Sequence, residues 1–590
     1  MLIRSIMFKL SLTLLISRIA AQSYDYGVDI ESLTRRDPTA RILVGRLPLY
    51  PDGSVPQRLE IREMEKDAHR WDLFILSLSM FQYVSQSDPM SWYQVAGIHG
   101  VPFRTWNGVG PVDGGDQAGY CTHNSVLFPT WHRPYLALIE QEMFRMANFI
   151  AGMFPNNTER ALYQRAAADI RFPYWDWTLP APPGESHLPD VFWKPTIMQY
   201  GPRGVQNIRN PLYAYPFHPL EEDALIWHPQ RLLILFSSYK DFNAFSNKAW
   251  ATSRNLSSWD SIESIHDIVH IYGGLKGHMT YVPLSSFDPL FFLHHMTTDR
   301  LFAMWQILNP DAWIRPMPAG ESSYTSTLGT VETSETELKP FYINNNTFWT
   351  SDMARTTEIF GYTYADTDIY GTTEDELRMY LTRKINDWWG GSSVMGLDTE
   401  SSSSHRLYPH IVSDVSAAYA LKGFKPNMKD SLDVLSGTII DKGRYTEWIA
   451  NVHVNVEAMD ASYAVHFFFG EAPPGCEWAT AVNEVGSVAI FAMNHGTGSK
   501  AKISGTLPLT TSLLKMVAAG TIPHLRPDAV EPFIHQALEF RVCDINDDEV
   551  DPKSVEGLFI GVSSAEVTLP YSKNELPRWN VAVPRVELWS

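Results

Sequence analysis

The chain has 590 residues, of which 44% are hydrophobic, 13% aromatic and 19% charged. This length predicts two domains with tails, and the composition is sufficient for large buried cores, so wholesale disorder is excluded. The formal net charge of -19 argues against nucleic acid or an anionic membrane surface as a partner.

The first 21 residues have the pattern of a secretory signal. Arg4 and Lys9 precede a short apolar run, and two alanines at positions 20 and 21 offer a cleavage site. Arg18 interrupts the apolar run. We therefore expect a protein of the secretory pathway or the exterior if the segment works, and a cytoplasmic protein if it does not.

Residues 22–54 are predicted to be an irregular lead-in, and residues 55–389 a mainly helical domain with long loops. In this domain, His99 and His123 lie in loops, and His132 precedes a helix that Pro134 is predicted to open. The apolar stripe of that helix begins at His132 and continues at four positions: Leu136, Ile139, Met143 and Ile150. A histidine is therefore expected on its buried face.

A second group of histidines begins with His266 and His270 on a predicted helix over residues 259–274. Two imidazoles one helical turn apart can chelate a single metal ion. Asp260 is predicted to cap this helix, with Glu263 three residues later. The pattern therefore predicts a helix whose inner face carries a metal-binding pair.

The next predicted helix, opened by Pro289, carries the adjacent residues His294 and His295. They point about 100° apart on a helix, so only one of them can join the pair, and periodicity does not decide which. Met296 and Thr297 are predicted either to border the site or to pack within the helix. Imidazole ligands without carboxylates suit copper, zinc or iron, and two such groups in a helix bundle predict a dinuclear centre.

After residue 389 the character of the sequence changes. Glycines and four consecutive serines in residues 390–407 predict an exposed linker that a protease could cut. Residues 408–590 are predicted to form a β-sandwich-like domain. Its strands are expected in four segments: 450–456, 463–469, 487–493 and 538–542.

The chain has three cysteines, too few for a disulfide framework. Cys121 lies alone in the first half. Cys476 and Cys543 could pair with each other, but the sequence does not decide it.

The histidine segments resemble the copper motifs of fungal tyrosinases. Residues 121–136, with Cys-Thr-His and Phe-Pro-Thr-Trp-His-Arg-Pro-Tyr-Leu, resemble the copper A motif, and residues 264–270 with residues 288–300 resemble the copper B motif. Residues 173–177 and 361–364 also match the family. The resemblance covers residues 50–390 and extends, less specifically, to the C-terminal domain of long fungal members.

This resemblance implies a four-helix bundle that holds two copper ions, CuA and CuB. It also implies oxidation of monophenols and o-diphenols by O2 to o-quinones, in melanin or phenolic pigment formation. The expected partner is a small phenol, with no nucleic acid or membrane, and the oligomeric state is left open. The implied ligands are His99, His123 and His132 for copper A, and His266, His270 and His295 for copper B.

Three further roles follow from the resemblance. Cys121 matches the cysteine that fungal members join to the following ligand, here His123, by a thioether; a small buried hydrophobe is the alternative. Glu263 matches a glutamate that holds a water near copper B; helix capping is the alternative. Asp267 replaces an asparagine of many monophenol-active members, and a carboxylate cannot donate as an amide does. Diphenol oxidation is therefore favoured over monophenol hydroxylation.

The resemblance also implies that the C-terminal domain is a lid with an aromatic side chain in the substrate pocket. Tyr463, Phe467 and Phe468 are the candidates, with strand-core packing as the alternative. The chain is thus expected to be a latent proenzyme activated by cleavage in residues 390–407. Two other functions remain open: a secondary-metabolism phenol or o-aminophenol oxidase, and haemocyanin-like O2 binding.

Overall fold

The computed structural model describes residues 23–29, 36, 40–213, 229–252, 258–274, 276–390, 393–397, 432–459, 461–476, 478, 481–492 and 501–590. The predicted signal segment and most of the predicted linker lie outside these residues. Secretion and cleavage therefore stay predictions.

The first part of the chain is mainly helical, as predicted. Its helices are α1 (Ile61–Glu65), α2 (Ala68–Gln82), α3 (Trp92–Ala96), α4 (Phe128–Gly152), α5 (Asn157–Ala168), α6 (Pro229–Ser238), α7 (Phe242–Ser246), α8 (Ile262–Gly274), α9 (Pro289–Leu308) and α10 (Glu374–Trp389). Its strands are short: β1 (Gln57–Arg58), β2 (Thr196–Gly201), β3 (Gly204–Arg209), β4 (Met317–Pro318), β5 (Val331–Glu332), β6 (Glu337–Asn344), β7 (Thr347–Thr350) and β8 (Thr363–Tyr364). They pair as four two-stranded sheets, β1-β8, β2-β3, β4-β5 and β6-β7.

The helix that carries His132 begins earlier than predicted. It starts at Phe128, so Pro134 lies inside the helix and does not open it. Pro129 occupies an early position, where its missing N–H costs little. Complete burial of Phe128 and near-complete burial of Trp131 offset the cost of an internal proline. The predicted apolar stripe is confirmed, since all four of its residues are fully buried.

The two histidine-bearing helices α8 and α9 are present, with one changed cap. The hydroxyl of Ser261, and not Asp260, accepts the N–H of Ser264 at 3.1 Å. Asp260 is unavailable because it forms a buried two-point ion pair with Arg231, both contacts at 2.8 Å. In α9, Pro289 is the first residue, as predicted, and Asp288 caps the helix.

A buried network of charges ties α4 to α9. Asp299 on α9 accepts a hydrogen bond from Arg133 on α4 at 2.7 Å. The hydroxyls of Tyr362 and Tyr364 donate to the same carboxylate at 2.7 and 2.8 Å, and Arg58 approaches it at 3.3 Å. Each charged group of this cluster therefore has an oppositely charged partner inside the core.

The C-terminal part is built mainly of strands. These are β9 (Arg444–Asn455), β10 (Tyr463–Phe469), β11 (Glu484–Ile490), β12 (Lys502–Pro508), β13 (Leu538–Asp544), β14 (Glu549–Val550), β15 (Phe559–Thr568), β16 (Arg578–Trp579) and β17 (Val583–Trp589). One sheet has the order β11-β10-β13-β14 and the other β12-β9-β15-β16, with β17 also on β15. The four predicted strands are found. Three helices were not predicted: α11 (Leu432–Ile439), α12 (Thr510–Ala518) and α13 (Pro527–Ala537).

The sheets lie directly on the helical domain. The N–H of Ser504 in β12 donates to the carbonyl of Lys248 at 3.0 Å, and the hydroxyls of Tyr272 and Ser487 are 2.6 Å apart. All seven residues of β10 are buried, so this strand has no solvent-facing side. A disulfide joins Cys476 to Cys543. Among the residues that the structure describes, no helix has the length and apolar character that crossing a membrane requires.

Candidate metal centre

Three histidine side chains from α8 and α9 converge on one point. The Nε2 atom of His266 is 2.8 Å from that of His270 and 3.2 Å from that of His295, and the last two are 3.2 Å apart. In a neutral imidazole, Nε2 is either a donor or an acceptor. Of three such atoms at least two are therefore alike, and these two cannot hydrogen-bond to each other. The arrangement therefore suits a metal ion, and of the two adjacent histidines it is His295 whose Nε2 lies in this triangle.

His294 lies beside this group without joining the triangle. Its ring is 4.9 Å from that of His266 in a stacked arrangement, and neither of its nitrogens has a hydrogen-bond partner in the structure. Met296 is completely buried in the core, and the hydroxyl of Thr297 donates to the Trp175 carbonyl at 2.5 Å. The packing interpretation therefore holds for both of these residues.

A second group consists of His99, His123 and His132. Their ring centroids are 5.4 to 6.2 Å apart, and the Nε2 atom of each is buried without a hydrogen-bond partner. A buried polar atom left without a partner costs free energy, so three of them in one place call for a ligand. The set of unpartnered imidazole nitrogens fits a metal ion.

The two groups face each other. The rings of His132 and His295 stack with centroids 4.4 Å apart, while His123 and His266 are 6.4 Å apart. Six imidazoles from α4, α8, α9 and two loops thus surround one space. Imidazole donors without a carboxylate in the innermost set fit copper.

Backbone carbonyls fix the tautomer of four of these rings. In each case the Nδ1 atom faces a carbonyl oxygen at 2.8 to 3.3 Å, which leaves Nε2 as the lone-pair atom that a metal needs. The pairs are His99 with Val282, His132 with Phe128, His266 with Glu263 and His270 with Met279.

Burial keeps the six rings neutral. Loss of hydration, together with the other rings in the group, holds the pKa of His123, His266 and His270 well below the ordinary value of 6.5. Burial lowers the pKa of His132 to about 4. Neutral imidazole is the form that binds metal ions, so the fold prepares the site for them.

Glu263 is fully buried next to the histidines. Its two carboxylate oxygens accept the backbone N–H groups of Asn124 at 2.7 Å and Lys248 at 3.1 Å. It does not cap α8, because these partners lie in other segments of the chain. Burial raises the pKa of this carboxyl, so Glu263 is a buried group that can hold a proton near neutral pH.

Asp267 is held by three partners. One oxygen accepts the Nζ of Lys248 at 2.7 Å and, more weakly, the backbone N–H of Phe491 at 3.4 Å, and the other lies 3.1 Å from Nδ1 of His266. Lys248 is itself only 3% exposed. No motif in the sequence marks this lysine, and its partner Asp267 lies 19 residues away along the chain. Lys248 was therefore not among the predicted site residues.

Cys121 is a free, buried cysteine. Its Sγ atom lies 3.6 Å from Nδ1 of His123 and donates to the carbonyl of His99 at 3.2 Å. The two residues of the predicted thioether are therefore adjacent.

The aromatic side chain over the histidines is Phe491, just after β11. Its ring stacks on His270 with centroids 4.1 Å apart and planes 13° apart, and it lies 6.3 Å from the ring of His123. The three aromatic residues predicted as the plug lie elsewhere: Tyr463 and Phe467 are in the apolar core of the C-terminal domain, and Phe468 packs on Trp478. That prediction was wrong because the resemblance did not indicate which aromatic residue meets the other domain, and Phe491, within the strand predicted at 487–493, lies just past the end of β11.

Two facing groups of three histidines in a helical domain define a protein with a dinuclear metal centre. A family model described as the common central domain of tyrosinase matches residues 89–233 and 225–308, and one described as the tyrosinase C-terminal domain matches residues 447–562. The chain is 30% identical to a tyrosinase of Neurospora crassa, over 88% of this chain and 93% of that one. The chain belongs to the tyrosinase family.

Two more relatives agree. A tyrosinase of Podospora anserina is 32% identical, over 81% of this chain and 96% of its own. The solved structure of recombinant mushroom tyrosinase superposes with a TM-score of 0.71 at 26% identity, covering 92% of this chain and 98% of that chain. The relationship therefore includes both the helical domain and the sheets.

Proposed function

We propose that this protein is a type-3 copper oxidoreductase that oxidises o-diphenols, and monophenols less readily, with O2 to o-quinones. Copper A would be held by His99, His123 and His132, and copper B by His266, His270 and His295. The observation that carries the proposal is two facing groups of Nε2 atoms, one buried without hydrogen-bond partners and the other converging within 3.2 Å. When bound, the copper pair supplies O2 activation and accepts electrons.

The chain's own residues position and deprotonate the phenol. The rigid imidazoles fix the spacing of the metals. Glu263 is the proposed proton acceptor, acting through a water, because burial raises the pKa of its carboxyl. Asp267 supports this group, but it is already engaged by Lys248 and His266. A carboxylate at position 267 cannot donate a hydrogen bond to the water that Glu263 would hold, as an amide could, which is why o-diphenols are proposed ahead of monophenols.

The test is turnover by the copper-loaded chain after limited proteolysis. We expect 4-methylcatechol to be oxidised fastest, tyrosine more slowly, and o-aminophenol at most weakly. Faster oxidation of o-aminophenol than of any catechol would instead support a secondary-metabolism oxidase. Oxygen uptake without any quinone formation would contradict the proposal.

We also propose that residues 55–389 are the catalytic domain and that residues 408–590 form a sandwich-like lid. Val452 in one sheet and Val465 in the other belong to one apolar core, which supports face-to-face packing. Phe491 fills the space over His270 where a phenol ring would lie. The uncleaved chain would then be a latent proenzyme.

Truncation of the plug tests this part. We expect Phe491→Ala to raise catechol turnover of the uncleaved chain at least about tenfold, because the substrate-accessible fraction rises. Phe468→Ala is the matched control, since that ring packs on Trp478 away from the histidines, and turnover should not rise. Equal turnover in wild type and Phe491→Ala would show that Phe491 does not block the site.

Two covalent features complete the proposal. Cys121 would form a thioether with His123, which a peptide mass lower by two hydrogen atoms would reveal. The first 21 residues would be removed on secretion, and the N-terminus of secreted protein would show this. A role in pigment formation would then follow from the quinone product.

A further inference from the structure

We propose that Lys248 is a specificity-determining residue that binds a carboxylate on the side chain of the phenolic substrate. This inference rests on the proposed phenol oxidation and on withdrawal of the C-terminal domain. It concerns the side of the pocket where Lys248 and Asp267 lie, next to His266.

The first observation is that Phe491 occupies two positions, one with its ring and one with its carbonyl. Its ring lies flat on His270, 4.1 Å away. Its backbone carbonyl accepts a hydrogen bond from Lys248 Nζ at 3.0 Å. A single residue of the lid thus fills both the ring position and the position next to the ammonium.

The second observation is the covalent spacing within Phe491. In any phenylalanine, two carbons separate the ring from the carbonyl carbon. A 3-arylpropanoate has the same two-carbon spacing between its ring and its carboxylate. Such a molecule can place its ring over His270 and one carboxylate oxygen where the Phe491 carbonyl now lies.

The third observation is the state of Lys248. Its ammonium is buried, 3% exposed, and its other partner is Asp267 Oδ2 at 2.7 Å. The charge of Asp267 holds the pKa of Lys248 above its ordinary value despite burial. When Phe491 leaves, one N–H of the ammonium loses its acceptor and faces the vacated space.

A carboxylate is a better replacement acceptor than a neutral group. The ammonium makes a charge-assisted hydrogen bond to either acceptor, but only the carboxylate adds the attraction between opposite charges, which in a buried site contributes a factor of about ten or more to binding. Asp267, next to Lys248, would accept a hydrogen bond from an amine carried by the same substrate side chain, because the backbone N–H of Phe491 already lies 3.4 Å from its Oδ2. A substrate with an amine and no carboxylate would leave one N–H of the ammonium without the acceptor that Phe491 now provides.

The experiment uses the copper-loaded full chain after proteolytic activation. Three o-diphenols are compared: 3-(3,4-dihydroxyphenyl)propanoate, its neutral amide, and 4-methylcatechol. We expect wild type to have a kcat/KM at least about tenfold higher for the acid than for the amide, mainly through KM. The readout is this ratio, in which any general loss of activity cancels.

The variants are Lys248→Met, Lys248→Gln and Lys248→Arg. The first two should bring the acid-to-amide ratio close to one, and Lys248→Arg should retain most of it because it keeps the positive charge. Lys339→Met is the control, since it removes one positive charge at a site where lysine pairs with Glu337, and should leave the ratio as in wild type. Copper content confirms that each variant has folded.

A wild-type ratio near one, or an unchanged ratio in both Lys248→Met and Lys248→Gln, would overturn the proposal. If the neutral variants do not fold, the wild-type ratio and Lys248→Arg still decide it. Failure to oxidise 4-methylcatechol would instead count against the proposed phenol oxidation itself.

Discussion

At the scale of single residues, the position of each ring nitrogen decides which histidines are available to a metal. The sequence supplied the six histidines, and helical spacing joined His266 to His270. It could not choose between His294 and His295, because both face the interior. The choice depends on where α8 and α9 cross, which brings Nε2 of His295 to 3.2 Å from the other two rings.

This choice gives the first prediction. His295→Gln should lower the copper content from two ions to one per chain and reduce catechol oxidation to background, because copper B loses one of three ligands. His294→Gln is the matched neighbour and should retain two ions. Metal analysis of both purified variants makes the comparison. Loss of copper from the His294 variant alone would reverse the assignment.

At the scale of elements, a buried ion pair joins the helices that carry His132 and His295. Arg133 follows the first histidine, and Asp299 lies one turn after the second. The sequence motif contained both residues, but their pairing depends on the crossing of α4 and α9. Similarly, Asp260 looked like a helix cap until the structure showed its ion pair with Arg231.

Arg133→Met should lower the free energy of unfolding by about 3 to 5 kcal/mol, because Asp299 remains buried without its closest cation. Urea unfolding at neutral pH measures this. Arg203→Met removes an exposed pair with Asp25 and should change the same quantity by less than about 1 kcal/mol. Similar losses in both variants would mean that the buried pair does not clamp the helices.

Strand β9 carries a buried carboxyl, that of Glu447, whose ionisation should lower the stability of the fold. Burial raises the pKa of Glu447 from 4.5 to about 7, so the folded state retains a proton that the unfolded chain has released. Its contribution to stability is full below about pH 4.5 and is lost as pH rises through about 7.

Glu447→Gln should remove this pH dependence, since the amide resembles the protonated carboxyl. Between pH 5 and pH 8, the variant should lose about 2 kcal/mol less unfolding free energy than wild type. Denaturant unfolding at both pH values provides the measurement. An equal loss in the two proteins would show that Glu447 is ionised in the folded state across this range.

At the scale of the whole molecule, the C-terminal sheets lie on the helical part, with Phe491 against His270. The sequence predicted strands after a linker, and the family resemblance implied a covering role, which stays a proposal. It predicted the wrong aromatic residue, because Phe491 lies beyond the end of β11, where the path of the chain is set by contact with the helical domain. Lys248 was missed for the same reason, since its partner Phe491 belongs to the other domain.

The central claim is a dicopper phenol oxidase held latent by this domain. The most direct measurement follows 4-methylcatechol oxidation and copper content in one copper-loaded sample, before and after limited proteolysis between residues 390 and 407. We expect two copper ions per chain both before and after cleavage, and turnover that rises at least about tenfold on cleavage. Full turnover before cleavage would contradict the lid, and absence of bound copper would contradict the six-histidine centre itself.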